Sequence, residues 1–370
     1  MTPFFERAEL LGEAARARQG PPLLLTGPPG AGKTTLLRML ADAVRAEGGE
    51  PVYLDLMGAA TSPERFVLSA LATLPEGMEG RAAARAREAA QLAQGGRAEG
   101  LRAVQALFAT WAALDAVDGR PVVLLLDEVT EIRSLAYFAG LREVDAPLGA
   151  ALSSRARGTI LATSFPGLAR RRWPQLATLP LPPLSALELQ AEARRRGLRV
   201  DGESLATASM GWPRYARVLL DRLLDGMPLV AAWAEEMALG GRLEQACRHT
   251  YEVLLLRSRG YGMSKAVLSA VAAEEGLNLT ALVARLGRTP GAIRDYLGWL
   301  LAVDALRTAR KRYYYVDGVL RSWVLLHARG VVATEVEILE RARLAATTLS
   351  EAPAAPAALP RRQEGLIEID

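Results

Sequence analysis

The chain has 370 residues, half of them hydrophobic and 23% charged, with a formal net charge of +4. A single cysteine, Cys247, with two histidines, His249 and His327, excludes a disulfide framework and a Cys/His zinc site. No apolar run reaches the ~18 residues of a membrane span, and the opening MTPFFERAEL lacks the basic flank and apolar core of a signal peptide. A cytoplasmic protein with no membrane partner is therefore expected.

Taken in chain order, Gly20–Thr26 reads as a turn leading into a strand. Lys33–Ala46 reads as a helix with Leu36, Leu37, Leu40 and Val44 on one face. Pro51–Met57 is a second strand, and Ser62–Asp118 is an Ala/Arg-rich helical stretch broken near Pro75–Gly80 and Gly95–Gly100. Pro121–Leu126 (PVVLLL) is a short continuous apolar run, the mark of a strand buried on both faces. Leu141–Ser154 reads as helix, restarting at Pro147. Gly158–Thr163 and Ala177–Leu181 read as further strands. Strands alternating with helices imply an α/β fold, a parallel sheet with helices on both faces.

After Ser185 the strands stop. Ser185–Arg196, Gly202–Met210 and Pro213–Leu224 read as helices, and helix resumes from Arg242. The tail Ser350–Leu359 is Ala/Pro-rich and expected to be flexible.

The segment Gly27-Pro28-Pro29-Gly30-Ala31-Gly32-Lys33-Thr34 fits G-x-x-x-x-G-K-[ST] and sits between a strand and a helix, the context this phosphate loop requires. Its glycines let the backbone curl so that N–H groups converge on an anion. The following helix offers its positive end to the phosphates. Lys33 is placed to reach the β/γ oxygens and Thr34 to ligand Mg²⁺, with Thr35 completing the loop. The chain holds three lysines, Lys33, Lys265 and Lys311, so one third of them lies in this loop.

Val122–Glu128 (VVLLLDE) ends a strand in two carboxylates, at the sheet edge where a phosphate loop lies. Asp127 would hold Mg²⁺, and Glu128 would orient and deprotonate an attacking water. A third strand ends at Thr163-Ser164; either hydroxyl could bind that water or the γ-phosphate. Arg170, Arg171 and Arg172 follow. Each is a candidate to act on a neighbouring copy's γ-phosphate, and all three equally fit a solvated basic turn.

With these motifs in place the chain resembles the AAA+/STAND group of P-loop ATPases, and within it archaeal-type ATPases related to origin-recognition initiators. Phe4-Phe5-Glu6-Arg7-Ala8-Glu9-Leu10 is similar to the F-x-x-R-x-x-E-L opening of that group, one residue short between Arg7 and Glu9. Thr163 and Ser164 fall at the sensor-1 position. Gly211-Trp212-Pro213-Arg214 resembles the G-x-P motif of a helical lid, with Arg214 at the sensor-2 position. Tyr314, Asp317, Arg321 and Trp323 resemble the Y-x-x-D-x-x-x-R-x-W ending.

The resemblance implies ATP and Mg²⁺ binding, slow or regulated hydrolysis, and nucleotide contacts from Pro213 and Arg214. It also leaves a homo-oligomer open. The expected organisation is an ATPase core over 1–184, a lid over 185–240, a winged helix over 241–330, a C-terminal helix over 331–349 and a tail over 350–370.

In the C-terminal part, Thr280–Leu286 and Pro290–Val303 read as helices around the turn at Gly287–Gly291, and Arg307–Val316 as a β-hairpin with a basic tip. Together they outline a winged helix-turn-helix. Residues 245–330 hold thirteen Lys and Arg against six Asp and Glu, an excess larger than that of the whole chain. Such an asymmetry points to double-stranded DNA, met by Arg288 and Arg294 on the second helix and by Arg307, Arg310, Lys311 and Arg312 on the wing. The same elements also suit docking of a protein partner. Cys247, His249 and His327 have no clustered partners and read as structural.

Overall fold

The computed structural model describes residues 8–155, 157–328 and 334–351. The chain divides into two compact units, one running to Leu181 and including Ala302–Asp304, the other comprising Pro182–Leu301 and the chain from Ala305.

The first unit contains α1 (Ala8–Ala17), β1 (Leu23–Thr26), α2 (Lys33–Ala46), β2 (Glu50–Asp55), α3 (Leu56–Ala59), α4 (Pro63–Leu71), α5 (Gly80–Gln94), α6 (Gly100–Ala113), β3 (Ala116–Val117), β4 (Arg120–Asp127), α7 (Asp145–Ser153), β5 (Thr159–Thr163), α8 (Pro166–Arg172) and β6 (Ala177–Pro180). The strand order is β2-β4-β5-β1-β6, all parallel, with β3 turning back antiparallel onto β4. The phosphate loop leaves β1 inside this sheet. Register brings the neighbouring strand ends level: Thr26 pairs with Thr163, Leu126 with Leu161, and Asp55 with Asp127. Three catalytic-type segments thus reach one sheet edge, the edge where open α/β sheets bind ligands.

The local causes are plain. In α2, Leu36, Leu37, Leu40 and Val44 are buried, each worth roughly 1.5–3 kcal/mol. The apolar run of β4 is buried from Val122 onward. Helix α4 starts because the Ser62 hydroxyl accepts from Arg65 N and Pro63 occupies its first turn. Beside the sheet, Phe66, Phe108 and Trp111 pack with ring centroids 5.7–6.3 Å apart. Helix α7 begins at Asp145 rather than Leu141, because Val129–Tyr137 winds as a 3-10 turn and the chain bends again before α7. The two-residue strand β3 has no periodicity to announce it.

Buried Arg155 joins the layers. Its Nη1 donates to the carbonyls of Trp111 and Leu114, its Nη2 to Val122 O and Gly158 O, and its Nε to Thr159 Oγ1. One guanidinium therefore ties together main-chain carbonyls from the end of α6, from β4 and from the approach to β5.

The second unit contains α9 (Ala186–Arg195), α10 (Gly202–Ser209), α11 (Pro213–Leu224), α12 (Leu229–Met237), α13 (Arg242–Arg257), α14 (Tyr261–Ala273), β7 (Leu277–Asn278), α15 (Leu279–Leu286), α16 (Pro290–Ala302), β8 (Leu306–Ala309), β9 (Arg312–Tyr315), α17 (Gly318–His327) and α18 (Glu335–Glu351). Ser185 and Glu188 form a capping box that starts α9. After α14 the order is strand, helix, helix, hairpin, with a three-stranded antiparallel sheet β7-β9-β8. β7 is the strand that the sequence conceals. Helix α18 packs on α10, α12 and α17 and buries Ile338, Ala342 and Ala346.

The residues of the Y-x-x-D-x-x-x-R-x-W ending are packing groups within this unit. Asp317 caps α17 by accepting from Val319 N and Leu320 N, and accepts from Tyr215 OH at 2.7 Å. Burial pushes its carboxyl pKa up, against the pull of those hydrogen bonds. Arg321 donates to Ala272 O, and Trp323 packs between Tyr251 and His327. Phe4–Arg7 of the opening motif and most of the Ala/Pro tail lie outside the described residues.

Candidate nucleotide-binding site

The loop after β1 is wound tightly. Gly30 and Gly32 have φ of 86° and 95°, which L side chains rarely adopt, and a Cβ at Gly27 would sit 3.0 Å from that of Ala31. Ala31 N closes a turn onto Pro28 O at 3.1 Å. The loop enters α2 through Gly32 without a side-chain cap, so the amides of the first turn are left open to an anion.

Lys33 is 4% exposed. Its Nζ donates to Gly27 O (3.0 Å), Pro28 O (3.1 Å) and Ser164 Oγ (2.8 Å), and lies 3.7 Å from Glu128 Oε1. Burial pulls its pKa below the usual 10.5, with Glu128 and Asp127 opposing. A buried ammonium held mainly by neutral oxygens is a site that gains from an added anion.

Asp127 closes the other side. Its Oδ2 accepts from Thr34 Oγ1 (2.6 Å) and Tyr53 OH (3.1 Å), and its Oδ1 from Glu128 N (3.0 Å). Glu128 stands at φ 46°, a left-handed conformation uncommon for a residue with a side chain. Ser164 N donates to Glu128 Oε2 at 2.9 Å, and Ser164 Oγ donates to Glu128 Oε1. Such local strain held by hydrogen bonds is typical of functional positions.

Lys33, Thr34, Asp127, Glu128 and Ser164 therefore converge. Thr163 sits beside them but faces elsewhere: its hydroxyl is 3.0 Å from Thr130 Oγ1 and accepts from Phe165 N. Thr35 is exposed on the first turn of α2. Of the three arginines, Arg172 pairs with buried Asp145 at 2.6 Å, Arg170 lies 3.9 Å from Asp304, and Arg171 makes no ion pair among the described residues.

The site also holds a residue that the sequence motifs do not mark, Tyr53. Its signal appears only when β2 is paired with β4, so that Tyr53 lies one alternate position before Asp55, opposite Asp127. Burial and the adjacent Asp127 carboxylate push its phenol pKa up.

The donor set fits Mg²⁺. Thr34 and Asp127 supply hard oxygen atoms, and among the described residues no group of three or more His, Cys, Asp or Glu forms a full protein cage. Mg²⁺ is normally held by one or two such ligands together with substrate phosphates.

Residues 5–157 match the AAA ATPase domain family. No curated protein matches the chain. Among solved structures the chain is similar to a Walker-type ATPase of Pyrococcus abyssi, at 16% identity with a TM-score of 0.65, covering 87% of this chain and 96% of that one. It also aligns with Cdc6p of Pyrobaculum aerophilum, at 13% identity, 95% of each chain and a TM-score of 0.37. A third match is a STAND protein with a tetratricopeptide-repeat sensor from Pyrococcus horikoshii, at 14% identity, 95% of this chain, 46% of that chain and a TM-score of 0.36. The Pyrococcus abyssi likeness bears on fold: the first unit has the P-loop NTPase α/β architecture.

In the second unit, Pro213 opens α11 and Arg214 donates to Thr250 Oγ1 at 3.2 Å. Arg288 and Arg294 are exposed, as are Arg307, Arg310, Lys311 and Arg312. Two of these are occupied: Arg312 donates to Gly276 O at 2.7 Å, and the Arg307 guanidinium lies 4.9 Å from the Tyr314 ring centroid. Arg310 and Lys311 form the two-residue hairpin turn, at φ 50° and 61°. No helix among the described residues is long and apolar enough to cross a membrane.

Proposed function

We propose that this protein binds ATP with Mg²⁺, hydrolyses it slowly, and couples its nucleotide state to duplex DNA through a C-terminal winged helix. The observation that carries the first part is the meeting of Lys33, Ser164 and Glu128 around one ammonium, beside the Thr34–Asp127 hydrogen bond. The loop amides and Lys33 bind the β/γ oxygens. Thr34 and Asp127 hold Mg²⁺, which would neutralise developing phosphate charge. Glu128 takes the proton of the attacking water. Ser164, rather than Thr163, serves as the sensor-1 hydroxyl, since its oxygen contacts both Lys33 and Glu128. Arg171 is the arginine best suited to act on a neighbouring copy, because Arg172 is spent on Asp145.

Residues 185–240 are proposed as the lid, with Pro213 and Arg214 in its G-x-P motif. The order α14-β7-α15-α16-β8-β9 supports a winged helix. Two-residue hairpin turns with both φ positive favour Asn-Gly, yet here they hold Arg310 and Lys311. Keeping two cations in a strained turn costs roughly 1 kcal/mol each, which argues that the tip serves phosphate contact. Arg294 on α16 and Arg288 in the turn between α15 and α16 would add to it, while Arg307 and Arg312 brace the hairpin.

The test is ATPase rate and molecular mass, with and without duplex DNA, over a salt series. A Mg²⁺-dependent rate and a salt-sensitive DNA complex support the proposal. Nucleotide binding without DNA binding at low salt, with or without ATP, replaces DNA with a protein partner. Absence of nucleotide binding overturns the whole.

A further inference from the structure

We infer that Tyr53 is a positioning residue for the metal, fixing Asp127 so that the Thr34–Asp127 pair binds Mg²⁺ tightly. The inference rests on the proposed Mg–ATP site and adds to it a residue outside both sequence motifs.

Asp127 is 2% exposed and its carboxylate receives three hydrogen bonds. Two come from the site's own motifs, from Thr34 Oγ1 and Glu128 N. The third comes from a different strand. Tyr53 lies on β2, where its Cα is level with Leu125 and Asp55 is level with Asp127. Residues two apart on a strand share a face, so the phenol extends along that face and its hydroxyl ends 3.1 Å from Asp127 Oδ2. The ring is held from the α2 side, with the Arg38 guanidinium 6.0 Å from its centroid. Tyr53 is thus gripped at its ring by α2 and at its hydroxyl by the carboxylate.

A ligating carboxylate otherwise turns about its last torsion, and ordering it on binding costs free energy. A second hydrogen bond to the oxygen already touched by Thr34 removes that freedom beforehand. Outer hydrogen bonds of this kind are typically worth 10–100-fold in metal affinity or activity. A phenylalanine in the same strand would bury similar apolar area, so packing alone does not call for the hydroxyl.

The experiment is Mg²⁺ titration of a fluorescent ATP analogue bound to the full chain, for wild type and Tyr53→Phe, each paired with binding in EDTA. Phe keeps the ring and its Arg38 contact and removes only the hydroxyl. The expected result is a rise of about tenfold in half-saturating Mg²⁺, with metal-free binding and melting temperature unchanged and turnover restored at saturating Mg²⁺. An unchanged half-saturating Mg²⁺ overturns the inference. So does a loss of metal-free binding in step with the Mg²⁺ effect, which would make Tyr53 a packing residue of the loop. Should wild type itself show no Mg²⁺ dependence, the underlying site reading fails, and that outcome is visible before Tyr53→Phe is compared.

Discussion

Thr34 and Asp127, 93 positions apart in sequence, are joined by a 2.6 Å hydrogen bond at the head of α2 and the end of β4. Lys33 stands beside that pair, with Ser164 and two carbonyls as its acceptors. A triphosphate would exchange those neutral acceptors for charged ones, and charge-assisted hydrogen bonds are roughly twice as strong as neutral ones. Lys33→Ala should therefore weaken ATP binding by about 100-fold or more while leaving the fold intact, read by equilibrium binding and circular dichroism. ATP affinity equal to wild type would remove Lys33 from the site.

The two hydroxyls that the sequence leaves level are separable by experiment. Ser164 contacts Lys33 and Glu128, whereas buried Thr163 contacts Thr130 and Phe165 N. Ser164→Ala should lower kcat by about 100–1000-fold, in the range of single electrostatic contacts at active sites, with a smaller change in ATP affinity. Thr163→Val should instead cost about 1 kcal/mol of stability by removing the hydroxyl's hydrogen bonds with Thr130 and Phe165 N. Glu128→Gln should keep ATP and stall turnover. Comparable kcat losses at both hydroxyls would assign no special place to Ser164.

Much of this was legible in the sequence, for physical reasons. A phosphate loop needs glycine at fixed positions, so Gly27–Thr34 announces itself. A strand buried on both faces must be continuously apolar, so Val122–Leu126 does too. The periodicity of α2 gives its bounds directly. What stayed hidden depends on pairing between distant segments. Tyr53 acquires meaning only when β2 aligns with β4. The choice between Thr163 and Ser164 turns on which side of a strand end each hydroxyl takes, and strand alternation fails where β5 ends. β3 and β7, two residues each, are too short to carry a period. Arg155 carries no mark in the sequence, because its five acceptors come together only in the fold.

The hairpin tip yields a prediction of opposite signs. Replacing Arg310-Lys311 with Asn-Gly places residues suited to positive φ where the backbone already requires them. The double variant should gain about 1–2 kcal/mol of stability from relieved strain. It should lose DNA affinity, and the slope of log affinity against log salt should shrink by about 2, one per phosphate contact. Denaturant melts and a salt series of DNA binding measure the two effects. Gained stability with undiminished DNA affinity would place the DNA surface elsewhere.

Arg155 offers a prediction independent of nucleotide. Its guanidinium is 2% exposed and donates to four main-chain carbonyls and one hydroxyl. Burial pulls its pKa down from the usual 12.5, with the Asp115 carboxylate opposing, so the fold bears a desolvation cost that these five bonds and Asp115 offset. Lysine has three donors on a single nitrogen and cannot span acceptors spread around a planar fork. Arg155→Lys should therefore destabilise the first unit almost as much as Arg155→Leu. Each carbonyl stranded away from water costs about 1–3 kcal/mol, so a loss of roughly 3 kcal/mol or more is expected for both. Saturating Mg–ATP should recover part of it, because ligand binding stabilises only the folded form. Urea unfolding with and without nucleotide makes the measurement. A near-neutral Arg155→Lys would mean that the interior around Trp111 and Val122 admits water, and that the carbonyls are satisfied without the fork.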